Sequence, residues 1–176
     1  RHRICGSVYL ASMGFRYTDY DVLVIGGGHA GIEAALAPAR MGLKTMLITQ
    51  SLDTIGKLSC NPSIGGTGKS QLVREVDALG GEMALAIDDA TLQSRLLNTG
   101  KGPAVHSLRA QADKRRYQSR MIQALFSQPR LTIRQGEITD ILTQNATVTA
   151  VKTLTGDVIP CRAVVVATGV YLKSRI

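Results

Sequence analysis

The chain has 176 residues, a formal net charge of +8 and 44% hydrophobic residues. That length supports one α/β domain, burying about 70% of its unfolded surface, and argues against a second independent core. No stretch approaches the ~18 consecutive apolar residues of a membrane span, which predicts a soluble protein. Cys5, Cys60 and Cys161 are an odd number without metal-ligand spacing. This argues against both a disulfide framework and a metal site and fits a reducing compartment.

The first eighteen residues carry Arg1, Arg3 and Arg16, no acid, and a brief apolar patch from Val8 to Ala11. They read as a basic extension that packs poorly, with residues 1–12 upstream of Met13; a targeting segment is the other reading. The domain proper is expected over residues 19–176.

Asp21-Val22-Leu23-Val24-Ile25 reads as a buried parallel strand, and Gly26-Gly27-Gly28-His29-Ala30-Gly31 follows it directly. This is the strand-loop-helix context of a dinucleotide site. Gly26 would allow the tight turn, Gly28 would admit a pyrophosphate close to the backbone, and Gly31 would let helix and strand approach. Ala30, Ala34, Ala35, Leu36 and Ala39 supply a small-residue helix face, Gly42 stops it, and Lys44 to Thr49 form a second strand. A βαβ unit of about 30 residues results. Pro38 predicts a kink or early end of that helix. The acidic residue expected about 20 positions past the loop is missing. Thr49 or Gln50 could offer a neutral hydrogen bond in its place, and Asp53 comes slightly late.

Residues Ser51 to Ser70 read as a polar, glycine-rich loop. Its Gly68-Lys69-Ser70 resembles the end of a P-loop, but that pattern requires glycine at position 63, where Ser63 stands, and a buried strand before it. NTP hydrolysis is therefore disfavoured, and the glycines are read as letting backbone lie close to a ligand. Cys60, between Lys57 and Lys69 in sequence, is a candidate catalytic cysteine with a depressed pKa; a buried structural cysteine is the competing reading. His29 is read as a helix-start residue with a hydrogen-bonding role, and His106 has no identifiable partner.

A helix is predicted from about Gln71 to Leu79, a break at Gly80-Gly81, and a second helix from about Gln111 to Ser127. Between Arg95 and Arg120 stand seven basic residues and one acid, Asp113. Such a cluster would attract a polyphosphate such as nucleic acid, although a solvated helix face is the commoner meaning of a charge run. Only Tyr117 lies nearby as an aromatic, so base stacking is not indicated.

Beyond Pro129 the period turns from helical to alternating. Leu131-Thr132-Ile133, Ile138 to Leu142, Thr147 to Leu154 and Val158 to Cys161 read as strands, with turns at Asn145-Ala146 and Thr155-Gly156-Asp157. They predict an antiparallel β-meander, followed by a separate apolar strand from Ala163 that ends in Ala167-Thr168-Gly169. The expected fold class is α/β: a Rossmann-like FAD-binding domain with a parallel central sheet, helices and a meander, an arrangement that resembles the two-dinucleotide-domain flavoproteins. On that reading the domain is incomplete and the sequence is expected to stop partway through a larger protein.

Taken together, GGGHAG at Gly26 to Gly31, Leu52 to Gly56, Ser59-Cys60-Asn61-Pro62-Ser63, Ile64 to Lys69, Asp77 to Gly81, Leu97-Asn98, Lys101 to Val105 and Leu108 to Asp113 closely resemble the N-terminal part of the glucose-inhibited division protein A family of tRNA uridine 5-carboxymethylaminomethyl modification enzymes. The resemblance covers about Tyr20 to Lys173. Pro38 stands where that family usually has alanine, and Ser70-Gln71 where it usually has Gly-His.

The resemblance implies an FAD-dependent enzyme that works with a partner GTPase on the wobble uridine of certain tRNAs, with NADH as reductant. It implies that Gly26, Gly27, Gly28, His29, Ala30 and Gly31 hold the FAD pyrophosphate and that the Ile138 backbone meets the adenine side. It also implies that Cys60 matches a cysteine linked to activity, and that the full-length protein is a cytoplasmic homodimer, a mitochondrial location being the alternative. Lys101, Arg109, Arg115 and Arg116 are the tRNA-binding candidates. This segment alone is expected to be inactive. Two other readings remain: a generic NAD(P)H-flavin oxidoreductase acting on a small molecule, and a noncatalytic nucleic-acid-binding module.

Overall fold

A computed structural model describes residues 19–59, 62–170 and 172. Strand β1 (Tyr20–Ile25) leads through the three glycines into helix α1 (His29–Arg40), which returns the chain to β2 (Thr45–Thr49). The two strands pair in parallel, Val24 opposite Leu47. Their apolar runs are continuous because both sheet faces are covered. Val24 and Leu47 share a core with Ile32, Ala35 and Leu36 of α1, whereas Leu23, Met46 and Ile48 look into a second core.

Gly42, at φ +87°, ends α1 in the left-handed conformation, its N–H donating to the Ala39 carbonyl at 3.0 Å. The expected early end at Pro38 is not found: the helix continues to Arg40. The hydrogen bond that proline forfeits falls in the last turns, where one missing bond interrupts little of the ladder. The Pro38 carbonyl meanwhile accepts from Leu43 N at 2.9 Å.

The region from Gln50 to Arg130 is richer than a loop and two helices. It holds a 3-10 turn at Leu52–Thr54, β3 (Ser63–Gly65), α2 (Lys69–Ala78), α3 (Met83–Ala90), β4 (Thr91–Leu97), a 3-10 turn at Pro103–Val105, β5 (Ser107–Ala112) and α4 (Lys114–Ser127). β3, β5 and β4 make a separate antiparallel sheet, in that order. Gln111 and Ala112, expected in the helix, belong to β5. The helix starts after Asp113, whose carboxylate accepts from the backbone N–H of Arg115 and Arg116 at 2.9 and 3.1 Å, a side-chain N-cap. Tyr117, Met121 and Leu125, four residues apart, form the buried stripe of α4.

The main sheet has the order β6-β2-β1-β9-β8-β7, completed by β6 (Leu131–Gln135), β7 (Ile138–Gln144), β8 (Thr147–Thr153) and β9 (Val158–Val166). Four strands are parallel, and β7, β8 and the start of β9 form the antiparallel meander. The separate strands expected at Val158 to Cys161 and from Ala163 are one. β9 pairs with β8 through Pro160 and with β1 from Cys161 onward, passing from meander to parallel sheet without a break. Val151, Ile159 and Cys161 close the second core against Leu23 and Met46. Helices therefore cover one face of the parallel strands and the meander the other.

Candidate nucleotide-binding site

β1 lies between β2, which follows it through α1, and β9, which the chain reaches last. The strand order reverses there, and in open α/β sheets ligands bind at such a switch point, beyond the carboxyl ends of the strands. The glycine loop occupies this position. Gly26 takes φ +112°, and a Cβ on it would stand 2.4 Å from the Ala167 carbonyl oxygen. The Ala167-Thr168-Gly169 turn is pressed against the loop in consequence, with Ala167 N donating to Ile25 O at 2.8 Å. A Cβ on Gly31 would lie 1.8 Å from the Gly26 carbonyl oxygen, so close packing of helix on loop requires glycine there.

Gly28 differs from both: a Cβ on it would meet no atom within 4 Å. Its side faces open space at the helix start, as a backbone meant to receive a ligand would. The first bond of α1 runs from Ile32 N to Gly28 O at 2.9 Å. The amides of His29, Ala30 and Gly31 precede it and form the electropositive end of the helix. An FAD pyrophosphate fits this donor set.

Thr49, at the end of β2, is buried, and its hydroxyl reaches the Ser51 carbonyl at 3.4 Å; Gln50 is exposed. A Cβ on Gly27 would come within 3.0 Å of the Thr49 hydroxyl, and Gly56 N donates to Gly27 O at 3.0 Å. Gln118 of α4 holds that same segment by donating to the carbonyls of Asp53 and Ile55 at 2.8 and 2.9 Å. Asp53 is thereby fixed by its backbone while remaining exposed. Ile138 opens β7, two residues after Gly136, whose N–H donates to Thr49 O at 2.9 Å. The carboxyl end of β2 is thus tied to the segment that leads into β7.

His29 is half-buried. Its Nε2 has no hydrogen-bond partner, and its ring lies 5.7 Å from that of Tyr117. Burial, then the Lys69 ammonium, pushes its pKa below 6.5 and favours the neutral ring. The hydroxyl of the fully buried Tyr117 is likewise unpartnered. Burial and then the Glu33 carboxylate hold its pKa above the ordinary phenol range. The Glu33 carboxylate itself accepts from the backbone N–H of Met83 at 2.7 Å and of Glu82 at 2.9 Å, tying the start of α3 to α1. In the sequence Tyr117 stood out only as the lone aromatic near the basic cluster; its four-residue spacing to Met121 and Leu125 was the signal for its place in the core.

The structure divides the basic cluster. Arg116 pairs with Asp89 at 3.4 Å, and Arg120 with Glu82 at 2.7 Å and Asp89 at 3.9 Å. Arg115 is exposed in the first turn of α4, Lys101 is exposed in the turn after β4, and Arg109 is exposed on β5. His106 does have a partner, its Nε2 lying 3.2 Å from the Lys101 carbonyl. Cys60 and residues 1–18 lie outside the described residues. Cys161 is buried with a free thiol whose pKa burial raises. Among the described residues no group of three His, Cys, Asp or Glu side chains could hold a metal ion, and no helix is long and apolar enough to cross a membrane.

The family model described as Glucose inhibited division protein A matches residues 21–176. A tRNA uridine 5-carboxymethylaminomethyl modification enzyme MnmG of Alkaliphilus oremlandii is 62% identical over 158 residues, which are 90% of this chain and 25% of that protein. A crystal structure of Aquifex aeolicus GidA superimposes with a TM-score of 0.85 at 54% identity, covering 88% of this chain and 26% of that one. The GidA-related protein from Thermus thermophilus, at 23% identity and a TM-score of 0.60, covers 87% of this chain and 54% of its own and shares the fold. The chain thus spans about a quarter of the length of the curated relatives it matches. With the family model covering almost every described residue, this chain belongs to the glucose inhibited division protein A family.

Proposed function

We propose that the chain is the FAD-binding part of a tRNA-modifying enzyme, one that installs a carboxymethylaminomethyl-type group at carbon 5 of the wobble uridine. The observation that carries this reading is the cradle at Gly26 to Gly31, with packed glycines on either side of one whose Cβ direction is empty. Gly28 and the amides of His29, Ala30 and Gly31 would hold the diphosphate, and the Ile138 backbone would meet the adenine. Bound flavin supplies the redox chemistry, and the protein supplies placement and electrostatics. The neutral His29 ring adds no charge beside the phosphates, leaving the helix end to attract them.

The relatives' names favour tRNA over a small-molecule substrate, so the generic oxidoreductase reading loses ground. Full activity would draw on tRNA, a partner GTPase, NADH as reductant and a homodimer, in the cytoplasm. Cys60 is the catalytic candidate. Lys101, Arg109, Arg115 and Arg116 are the candidate contacts to RNA.

The test is the absorbance spectrum of a full-length family protein bearing this segment. Flavin bands are expected, together with their loss in Gly28→Val, whose melting temperature should match that of the cofactor-free unsubstituted protein. A colourless unsubstituted protein, or a Gly28→Val variant that retains its flavin, overturns the reading.

A further inference from the structure

The small sheet presents a face of which only Arg109 has been assigned above. Its register aligns Ser63, Gln111 and Gln93 on one rung across β3, β5 and β4, and Gly65, Arg109 and Arg95 on the next. Directly paired residues share a face, and so do residues two apart on one strand. The intervening rung, Ile64, Ala110 and Ser94, lies on the other side, where Ile64 is buried in the core and Ala110 packs against it. The two polar rungs are therefore turned away from the core. Gln93, Arg95, Arg109 and Gln111 are all exposed.

This tile contains two guanidinium groups and no acid. Like charges directly opposite each other destabilise an antiparallel pair, yet Arg95 and Arg109 are cross-strand partners. Among the described residues neither has a salt bridge, whereas Arg116 and Arg120 of the same sequence cluster are paired with acids of α3. Gly65 adds no side chain to their rung, so β3 leaves Arg109 uncovered. Two adjacent guanidiniums match phosphate oxygens in a bidentate way that lysines do not. The neighbouring glutamines each offer both donors and acceptors, suited to a base edge or a ribose.

We propose that this face, centred on Arg95 and Arg109 with Gln93 and Gln111 beside them, binds an RNA strand through its phosphodiester backbone. The proposal rests on the RNA-modifying reading above and narrows it. Arg109 is kept and Arg95 is added.

The experiment measures binding of an unmodified tRNA transcript to a full-length family protein bearing this segment, across a range of salt concentrations. Arg95→Gln and Arg109→Gln are each expected to weaken binding about tenfold and to flatten the salt dependence by about one unit. Flavin content should be unchanged and the melting temperature equal or higher, because a like-charge contact is relieved. Arg162→Gln, at an exposed arginine on β9 of the main sheet, should bind as the unsubstituted protein does. Unaltered tRNA binding in both sheet variants overturns the proposal, as does a loss of flavin in its place, which would assign the face to the cofactor. Failure of the unsubstituted protein to bind tRNA overturns instead the RNA reading on which the proposal rests.

Discussion

The carbonyl oxygen of Gly26 occupies the space that a side chain on Gly31 would need, 1.8 Å from the Cβ position. The obstruction is backbone at the end of a buried strand, which cannot swing aside as a flexible side chain would. Gly31→Ala should therefore cost about 3 kcal/mol, the upper end of the overpacking range, and lower the melting temperature by several degrees. Gly28→Ala, built into open space, should leave the melting of the cofactor-free protein unchanged. Equal melting of both variants in thermal denaturation would contradict the packing described here.

Tyr117 carries a different kind of defect, a fully buried hydroxyl with no hydrogen-bond partner. An unsatisfied buried polar group costs about 1–3 kcal/mol. Tyr117→Phe keeps the ring against His29 and deletes the hydroxyl, so the cofactor-free protein should gain about 1 kcal/mol, seen as a melting rise of about 3 °C. A fall in melting temperature would show that the hydroxyl has a partner.

His29 makes stability depend on pH in a defined direction. Its folded pKa lies below 6.5, through burial first and the Lys69 charge second. Below about pH 6.5 the unfolded chain binds a proton that the folded chain resists, so stability rises with pH across this window. The contribution is complete above about 6.5 and is lost as pH falls toward the folded value. Denaturant titrations of the protein and of His29→Gln at a series of pH values should converge in shape above 7 and diverge below 6.5. Parallel curves throughout would show that His29 titrates normally.

The elements that were legible are those whose signals are local. β1, the glycine loop, α1 and β2 follow from an apolar run, glycine punctuation and a small-residue face, and Gly26 and Gly31 make the tight turn and the close helix packing expected of them. Asn145-Ala146 also reads correctly as a turn, both residues having positive φ, which suits a tight hairpin. The second sheet was not legible. β4 is exposed along nearly its whole length, so burial imposes no alternation on Thr91 to Leu97. Gln111 and Ala112 abut a helix without a glycine or proline between, and only the capping role of Asp113 marks the boundary. Nor does composition disclose that Arg95 and Arg109 face each other while Arg120 turns to Glu82, because strand register decides the first and the packing of α4 against α3 the second.

Glu82 supplies the last prediction. It opens the α3 segment, only 3% exposed, with Arg40 of α1 hydrogen-bonded to its carboxylate and Arg120 of α4 ion-paired with it. Arg40 also donates to the Gly80 carbonyl. One buried anion thus joins three helices, and its arginines are neutralised whereas Arg95 and Arg109 have no salt bridge among the described residues. Removing the anion strands two guanidiniums that sit 34% and 28% exposed. Breaking a fully buried pair costs about 3–5 kcal/mol, and the partial hydration of both arginines lowers that. Glu82→Gln should therefore destabilise by about 2 kcal/mol in urea titration. Arg40→Ala should cost less, because Arg120 still compensates the carboxylate. In a double-mutant cycle Glu82→Gln and Arg120→Ala should be non-additive, since each removes the same contact. Additive effects would mean that the ion pair contributes nothing beyond the packing of its side chains.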